Sequence, residues 1–303
     1  MASSSSSSAI FKTGNTAVIT GGASGIGLAL AKKCAGYGMK VLVADWNTEL
    51  LAKVPADVAA TYQMDVSKGG GLGGLQGGRC RRTLMVVFLC KINLLALNAG
   101  TGAKHSFDSP EGFEKILNVN IFGVVHGITH LLPLIKSSSS KAETETEPSS
   151  AIVITGSKQG ITNPPGNPAY NASKAAVKSL AEQLSYDLRA DHPSVSVHLL
   201  VPGWTWTGLA GGQPGGGRDT AAAAGAADGK KKPDAPWWPE DVVEYLEKKM
   251  TEKQFWVICP DNEVTEGMDK KRMAWSGGDV INGRPPLSRW REEYKEQAAE
   301  FMK

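Results

Sequence analysis

Residues 17–27 read Ala-Val-Ile-Thr-Gly-Gly-Ala-Ser-Gly-Ile-Gly, a short apolar run that breaks into glycines at Gly21 and resumes with helical spacing from Gly25. A run this short, ended by glycine, reads as a buried strand. Strand, glycine turn and helix in that order open a β-α-β unit, and in such a turn the glycines bring the backbone close to a ligand. Free N–H groups and the positive end of the helix dipole then favour a phosphate. The residues concerned are Gly21, Ser24, Gly25, Ile26 and Gly27. Their spacing, Gly-x-x-x-Gly-x-Gly, differs from the common Gly-x-Gly-x-x-Gly, so the turn alone leaves an ordinary strand-to-helix connection open.

Outward from this turn the same rhythm repeats. Short apolar or β-branched runs predict strands at 17–20, 40–44, 61–64, 92–97, 151–155, 195–201 and 255–259. Helical spacing occupies 25–35, 47–54, 111–136, 170–190 and 239–253, with Ser109-Pro110-Glu111 as an N-cap signal. Alternating strands and helices predict an α/β fold, a doubly wound parallel sheet of about seven strands with helices on both faces. The catalytic domain is expected over 14–260, after a disordered tail at 1–13 and before an extension at 261–303 that wraps the domain or joins a subunit contact. Two low-complexity inserts, 137–150 and 210–236, cannot bury enough apolar surface to offset their ordering entropy and read as disordered loops.

Composition narrows the function class. Among 303 residues, 33 Lys and Arg face 30 Asp and Glu, a net charge of +3 that excludes a strongly basic nucleic-acid arm or an acidic tail as the main identity. The four cysteines form no Cys-x-x-Cys pair, the serine run at the start lacks the apolar core of a signal peptide, and no uninterrupted apolar stretch reaches the length of a membrane span. A cytoplasmic protein without nucleic-acid or membrane partners is therefore expected. His126 and His130 share a helix face but lack a third ligand, so no metal site is expected. Arg79, Arg81 and Arg82 read as a solvated face.

Three further positions carry chemistry. Asp45 closes the second strand about twenty residues after Gly25, where a carboxylate can accept both hydrogens of a ribose diol and repel a 2′-phosphate. No Lys or Arg lies in the glycine turn or directly after Asp45, so NAD is expected, with NADP as the alternative. Tyr170 and Lys174 stand at i and i+4 on one helix face, where a fixed cation favours the phenolate and makes the phenol a usable acid or base. An exposed helix pair is the competing reading. Ser157, just after the fifth strand, offers a hydroxyl to a substrate oxygen.

Taken together, the motifs Thr20 to Gly27, Asp65-Val66, Asn98-Ala99-Gly100, Asn120, Ser157, Tyr170-x-x-x-Lys174 and Pro202-Gly203-Trp204-Thr205-Trp206-Thr207 resemble the short-chain dehydrogenase/reductase family in its single-domain form, with a Rossmann fold. The stretch 156–174 also resembles a subgroup of fungal and bacterial members. The resemblance implies that Tyr170 is the acid/base and that Lys174 holds the nicotinamide ribose. It implies that Ser157 orients the substrate oxygen and that Asn120 fixes a water in a proton relay. By the same resemblance Asp65 and Val66 contact adenine, Asn98, Ala99 and Gly100 pack beside the cofactor, and Pro202, Gly203, Thr205 and Thr207 line its nicotinamide end. A small alcohol or ketone substrate and a homodimer or homotetramer follow from it too.

Departures from the family pattern concentrate in one place. Leu97 replaces a first Asn before Asn98, a mild change. The segment 67–91, however, occupies the position of a crossover helix and turns Gly-rich, then Arg-rich, then apolar. Each interior Gly costs about 1 kcal/mol relative to Ala in a helix, so no stable crossover helix is expected before the fourth strand. The abrupt switch reads as translated intron or another gene-model error. The tryptophans Trp204, Trp206, Trp237 and Trp238 suggest either an aromatic lid over a bulky substrate or ordinary loop packing. The combined reading is an NAD-dependent oxidoreductase interconverting a secondary alcohol and a ketone. The alternatives are a dinucleotide-binding protein without turnover and a chain inactivated by 67–91.

Overall fold

Strand β1 (Thr16–Thr20) lies at the centre of a seven-stranded sheet, between β2 (Lys40–Asp45) and β4 (Leu94–Leu97). A computed structural model describes residues 9–70, 91–102, 106–138, 148–211, 218 and 232–303. With β3 (Ala60–Gln63), β5 (Ser150–Thr155), β6 (Val195–Val201) and β7 (Trp256–Ile258), the order is β3-β2-β1-β4-β5-β6-β7, and every pairing is parallel. This is the doubly wound sheet that the alternating pattern predicts. Each predicted strand is present within a residue or two of its expected bounds.

Parallel strands covered on both faces need apolar residues throughout, and the central strands β1, β4 and β5 are buried at every position. Because side chains alternate across a strand, neighbours go to opposite cores. Ala17, Ile19, Val41, Val43 and Leu94 face α1 (Gly25–Gly36) and α7 (Pro239–Thr251), whose Leu30, Val243 and Leu246 complete one core. Val18, Leu42, Leu95, Leu97 and Ile152 face α4 (Gly123–Ser138) and α6 (Pro168–Asp191), whose Leu131, Val177 and Ala181 complete the other. The remaining helices are α2 (Thr48–Leu51), α3 (Pro110–Leu117), α5 (Lys158–Thr162), α8 (Glu266–Ile281) and α9 (Lys295–Met302). The turn α5 has no counterpart in the sequence reading, and α2 is shorter than the expected 47–54.

Several boundaries need correction. Residues 1–8 lie outside the described residues, but Ile10 and Phe11, expected in a disordered tail, are buried, with Phe11 against Tyr37 at 5.6 Å between ring centroids. Two large apolar side chains gain more from the core than the short segment loses on ordering. The ends of the insert 137–150 belong to α4 and β5, whereas 139–147 lies outside the described residues. So does most of 210–236. The expected loss of the crossover helix falls on 67–91, of which 71–90 lies outside the described residues. The strand after it is nevertheless in register with both neighbours, and Ile92 and Leu94 to Leu97 are fully buried.

The helix from Pro110 to Ser137 is by length and composition apolar enough to cross a membrane, although the sequence shows no uninterrupted apolar stretch of that length. Its polar residues are scattered, so no strict apolar run forms although the mean hydropathy is high. Ile116, Leu131 and Ile135 are buried in the protein and α4 packs on β4 and β5, so one face of this helix belongs to the core. The extension after β7 folds back: α8 packs on α5, and α9 on α8, where Trp275 is buried and its Nε1 donates to Ser288 Oγ at 2.8 Å.

Candidate active site

The order in which strands are added to the sheet reverses between β1 and β4, so the loops at their carboxyl ends diverge and leave a crevice where ligands of such sheets bind. A cavity of about 1200 Å³ opens there. The glycine turn forms one wall. Gly27 stands on the first turn of α1, where a Cβ would fall 2.3 Å from the Gly21 carbonyl oxygen and 2.7 Å from Asn98 Nδ2, so only glycine lets helix and strand approach this closely. Ser24 is the N-cap of α1 but its side chain makes no cap bond, and no acidic residue occupies the first turn. The N–H groups that start the helix therefore face the cavity as positive dipole ends.

Asp45 ends β2 beside this turn and is 8% exposed. Ala23 N donates to its Oδ2 at 3.2 Å and Asn47 N to its Oδ1 at 3.1 Å, which fixes the carboxylate on the cavity wall. Its cavity neighbours Trp46, Asn47 and Leu50 include no cation. Beyond them Asp65 and Val66 line the same end. The Asp65 Oδ1 accepts from Ser67 N and Oγ, at 3.0 and 2.7 Å.

Asn98 ties three strand ends together. Its Nδ2 donates to the Thr20 and Gly21 carbonyls at 3.3 and 3.2 Å, and its Oδ1 accepts from Thr155 Oγ1 at 3.1 Å. Thr20 Oγ1 accepts from Asn98 N and Ala99 N, at 3.1 and 3.2 Å. Composition patterns give no sign of the roles of Thr20 and Thr155, which come from their places at the last residues of β1 and β5.

Asn120 sits in a π-helical turn (Asn118–Phe122) between α3 and α4, and it is 1% exposed. Its Nδ2 donates to the Thr101 carbonyl at 3.0 Å and Ser173 Oγ at 2.9 Å, while its Oδ1 accepts from Thr101 N at 2.8 Å. Both amide hydrogens are spent inside the protein. The side chain thus stands behind the cavity wall, joining the Gly100 loop to α6, rather than facing the cavity.

Ser157, Tyr170 and Lys174 meet on the cavity wall. Ser157 caps α5, its Oγ accepting from Gln159 N at 3.2 Å. Lys174 Nζ donates to the Thr155 carbonyl at 2.8 Å and lies 5.8 Å from the centre of the Tyr170 ring. Burial pushes the Tyr170 phenol up from its ordinary value, and a hydrogen bond with Ser157 draws it down only in part. Burial also pulls the Lys174 ammonium down to about 8. Desolvation of both groups thus works against the depression of the tyrosine that the i, i+4 spacing suggests.

The far wall is the loop Pro202 to Thr207, where Pro202, Gly203, Thr205 and Thr207 line the cavity. Of the four loop tryptophans only Trp204 does so; Trp237 instead packs edge-on against Tyr245 with centroids 6.0 Å apart. The loop is held from behind by the extension: Trp204 N donates to Asp261 Oδ2 at 2.9 Å. Lys158, next to Ser157, pairs with the fully buried Asp269 at 2.8 Å, and Asp269 also accepts from Arg272 Nη1 at 3.1 Å. These contacts were not legible in the sequence. Every candidate site residue named above except Gly27 and Asn120 lines the one cavity, and those two shape it from behind. Among the described residues no group of three His, Cys, Asp or Glu side chains could hold a metal ion, and His126 Nδ1 lies 3.0 Å from the Val66 carbonyl.

Comparison with known proteins agrees with this geometry. The family model described as short chain dehydrogenase matches residues 15–214. Cis-2,3-dihydrobiphenyl-2,3-diol dehydrogenase of Pseudomonas putida is 29% identical over 198 residues, 63% of this chain and 66% of that protein. A CLA biosynthesis dehydrogenase/reductase of Lactiplantibacillus plantarum is 26% identical over 200 residues, covering 63% and 65%. The matched part is thus just under two thirds of these relatives' length. Among solved structures, a short chain dehydrogenase/reductase from Burkholderia phymatum in complex with NAD superposes with a TM-score of 0.71 at 28% identity, covering 90% of this chain and 96% of that one. NAD+-bound xylitol dehydrogenase gives 0.54 at 28% identity over 64% and 71%. With the family match spanning both the glycine turn and the Ser157, Tyr170 and Lys174 cluster, the chain belongs to the short-chain dehydrogenase family of oxidoreductases.

Proposed function

We propose that the protein is an NAD-dependent dehydrogenase that interconverts a secondary alcohol and a ketone, with Tyr170 moving the hydroxyl proton. The observation that carries this reading is that Ser157, Tyr170 and Lys174 share one cavity with the glycine turn and Asp45. The cavity fits a dinucleotide. A Cβ on Gly25, which has φ +54°, would fall 3.0 Å from Thr207 Cγ2, so the glycine leaves a cradle where a pyrophosphate meets the start of α1. Asp45 accepts ribose hydroxyls, and without a neighbouring cation its charge opposes a 2′-phosphate.

NAD, when bound, would supply the acceptor for the hydride that leaves the carbinol carbon. The residues of the chain handle the rest. Ser157 holds the substrate oxygen, and Tyr170 takes its proton as the carbonyl forms, or returns it in reduction. Lys174 binds the ribose at the nicotinamide end and supplies the positive charge that steadies the phenolate. Asn120 acts by position, keeping the Gly100 loop and α6 at a fixed separation. Pro202, Gly203, Thr205 and Thr207 enclose the nicotinamide end, and Asp65 with Val66 the adenine. The names of two relatives, a dihydrodiol dehydrogenase and a xylitol dehydrogenase, support an alcohol as substrate. We further propose a cytoplasmic homodimer or homotetramer formed through the helices that start near Glu111 and Tyr170.

Thermal unfolding of the whole chain with NAD or NADP tests the cofactor reading. A ligand at about 100 times its Kd adds roughly 2.7 kcal/mol to stability. NAD should raise the transition more than NADP does. An equal or larger shift with NADP would overturn the assignment of Asp45.

A further inference from the structure

After Thr207 the loop on the far wall of the cavity makes a short 3-10 turn, Gly208–Ala210, in which Ala210 N donates to the Thr207 carbonyl at 2.9 Å. All of Gly208, Leu209 and Ala210 line the cavity, and none carries a polar side chain. Leu209 is 53% exposed although it stands on a cavity wall, and Trp204, earlier in the loop, is exposed there as well. Gly102, in the loop after β4, fixes where Leu209 lies. A Cβ on Gly102 would fall 3.3 Å from Tyr170 Cδ2 and Cε2 and 3.5 Å from Leu209 Cδ1. A single carbon would thus touch both side chains, so a methyl group of Leu209 stands beside the edge of the phenol ring. With Thr207 against Gly25 at its other end, the turn reaches from the glycine turn to Tyr170.

A leucine exposed on an open surface needs no explanation, but one on a cavity wall beside the proton carrier is apolar surface that a ligand covers. The charged groups next to Ser157 offer nothing to an ionic substituent. Lys158 is paired with the fully buried Asp269, and Asp261 accepts from Trp204 N. Resting on the reading of Tyr170 as proton carrier, we propose that Leu209 is a specificity-determining residue, the apolar wall of a substrate subsite. The substrate is then a secondary alcohol or ketone with an uncharged apolar chain or ring on the reacting carbon. That group packs on Leu209 while the reacting oxygen rests on Ser157 and Tyr170. Gly102, by carrying no side chain, lets Leu209 and Tyr170 stand this close. Each methylene moved from water onto such a wall tightens binding by about fourfold when fully buried.

The test is equilibrium binding of ketones to the full chain saturated with NAD, which carries no hydride for a ketone. The probes are acetone, 2-hexanone and 4-methoxy-2-butanone, the last matching 2-hexanone in shape with an ether oxygen in place of one methylene. 2-Hexanone should bind on the order of tenfold more tightly than either. In Leu209→Asn, which keeps the size of the side chain, that preference should fall to about threefold or less, and Leu209→Met, which keeps it apolar, should retain it. NAD affinity should be the same in the parent chain and both variants. Equal affinities for the ketones, a preference unchanged in Leu209→Asn, or a matching loss of NAD affinity in that variant overturns the subsite, the last by placing Leu209 on the cofactor. NADH oxidation by 2-hexanone, in the parent chain and in Tyr170→Phe, is read separately. Selective binding without turnover contradicts the proposed reaction and leaves the subsite standing, whereas turnover that is lost in Tyr170→Phe without selective binding does the reverse.

Discussion

Tyr170 and Lys174 are each driven toward neutrality by burial, the phenol upward and the ammonium down to about 8. The sign of the pH dependence follows. Alcohol oxidation needs the phenolate, whose fraction rises with pH up to a raised pKa, whereas ketone reduction needs the phenol, which stays filled over the same range. The kcat/KM for oxidation should therefore climb from pH 6 through 9, and that for reduction should stay level or fall; parallel profiles would exclude Tyr170 as the titrating group. Asp45→Ala should lower NAD affinity tenfold or more, since hydrogen bonds to a charged group contribute about 1.5–3 kcal/mol, and should leave NADP affinity the same or improved. Calorimetric titration of both nucleotides checks it. Residue types and spacing located Tyr170, Lys174, Ser157 and Asp45, because each sits at a strand end or on the face of one helix turn. The balance of desolvation against charge, and the engagement of both Asn120 amide hydrogens, depend on three-dimensional burial that spacing does not encode.

The helical turn α5 sets the distance between Ser157 and Tyr170. Gly160 lies against α6 so closely that a Cβ would fall 2.6 Å from the Lys174 carbonyl carbon and oxygen. Gly160→Ala should push the two elements apart, cost about 1–3 kcal/mol of stability, and lower kcat while sparing NAD affinity. Denaturant unfolding alongside turnover checks both halves of that expectation. Strand periodicity made the seven strands legible, since uniformly apolar runs bounded by turn residues have few other readings. The five-residue α5 and the π-helical turn at Asn118–Phe122 were not legible, being too short to carry a period.

On the scale of the whole chain, the segment after β7 belongs to the site. Asp269 is fully buried between Lys158 and Arg272, and Asp261 holds Trp204 in place. Asp269→Ala leaves two cations without their shared partner. It should destabilise the protein by about 3–5 kcal/mol, with much of the loss recovered in a Lys158→Met, Asp269→Leu double variant. Chemical denaturation of the single and double variants measures the difference. No periodicity in residues 261–303 announces this contact, because it joins positions more than a hundred residues apart. On the proposed reading, this 303-residue chain is a dehydrogenase whose proton passes through Tyr170. The most direct measurement is NADH formation from 2-hexanol by the full chain and by Tyr170→Phe, with NAD binding measured on both. Turnover by the parent chain, a loss of about 10²–10⁴-fold in the variant and unchanged NAD affinity are expected. Retained turnover in Tyr170→Phe would contradict the account.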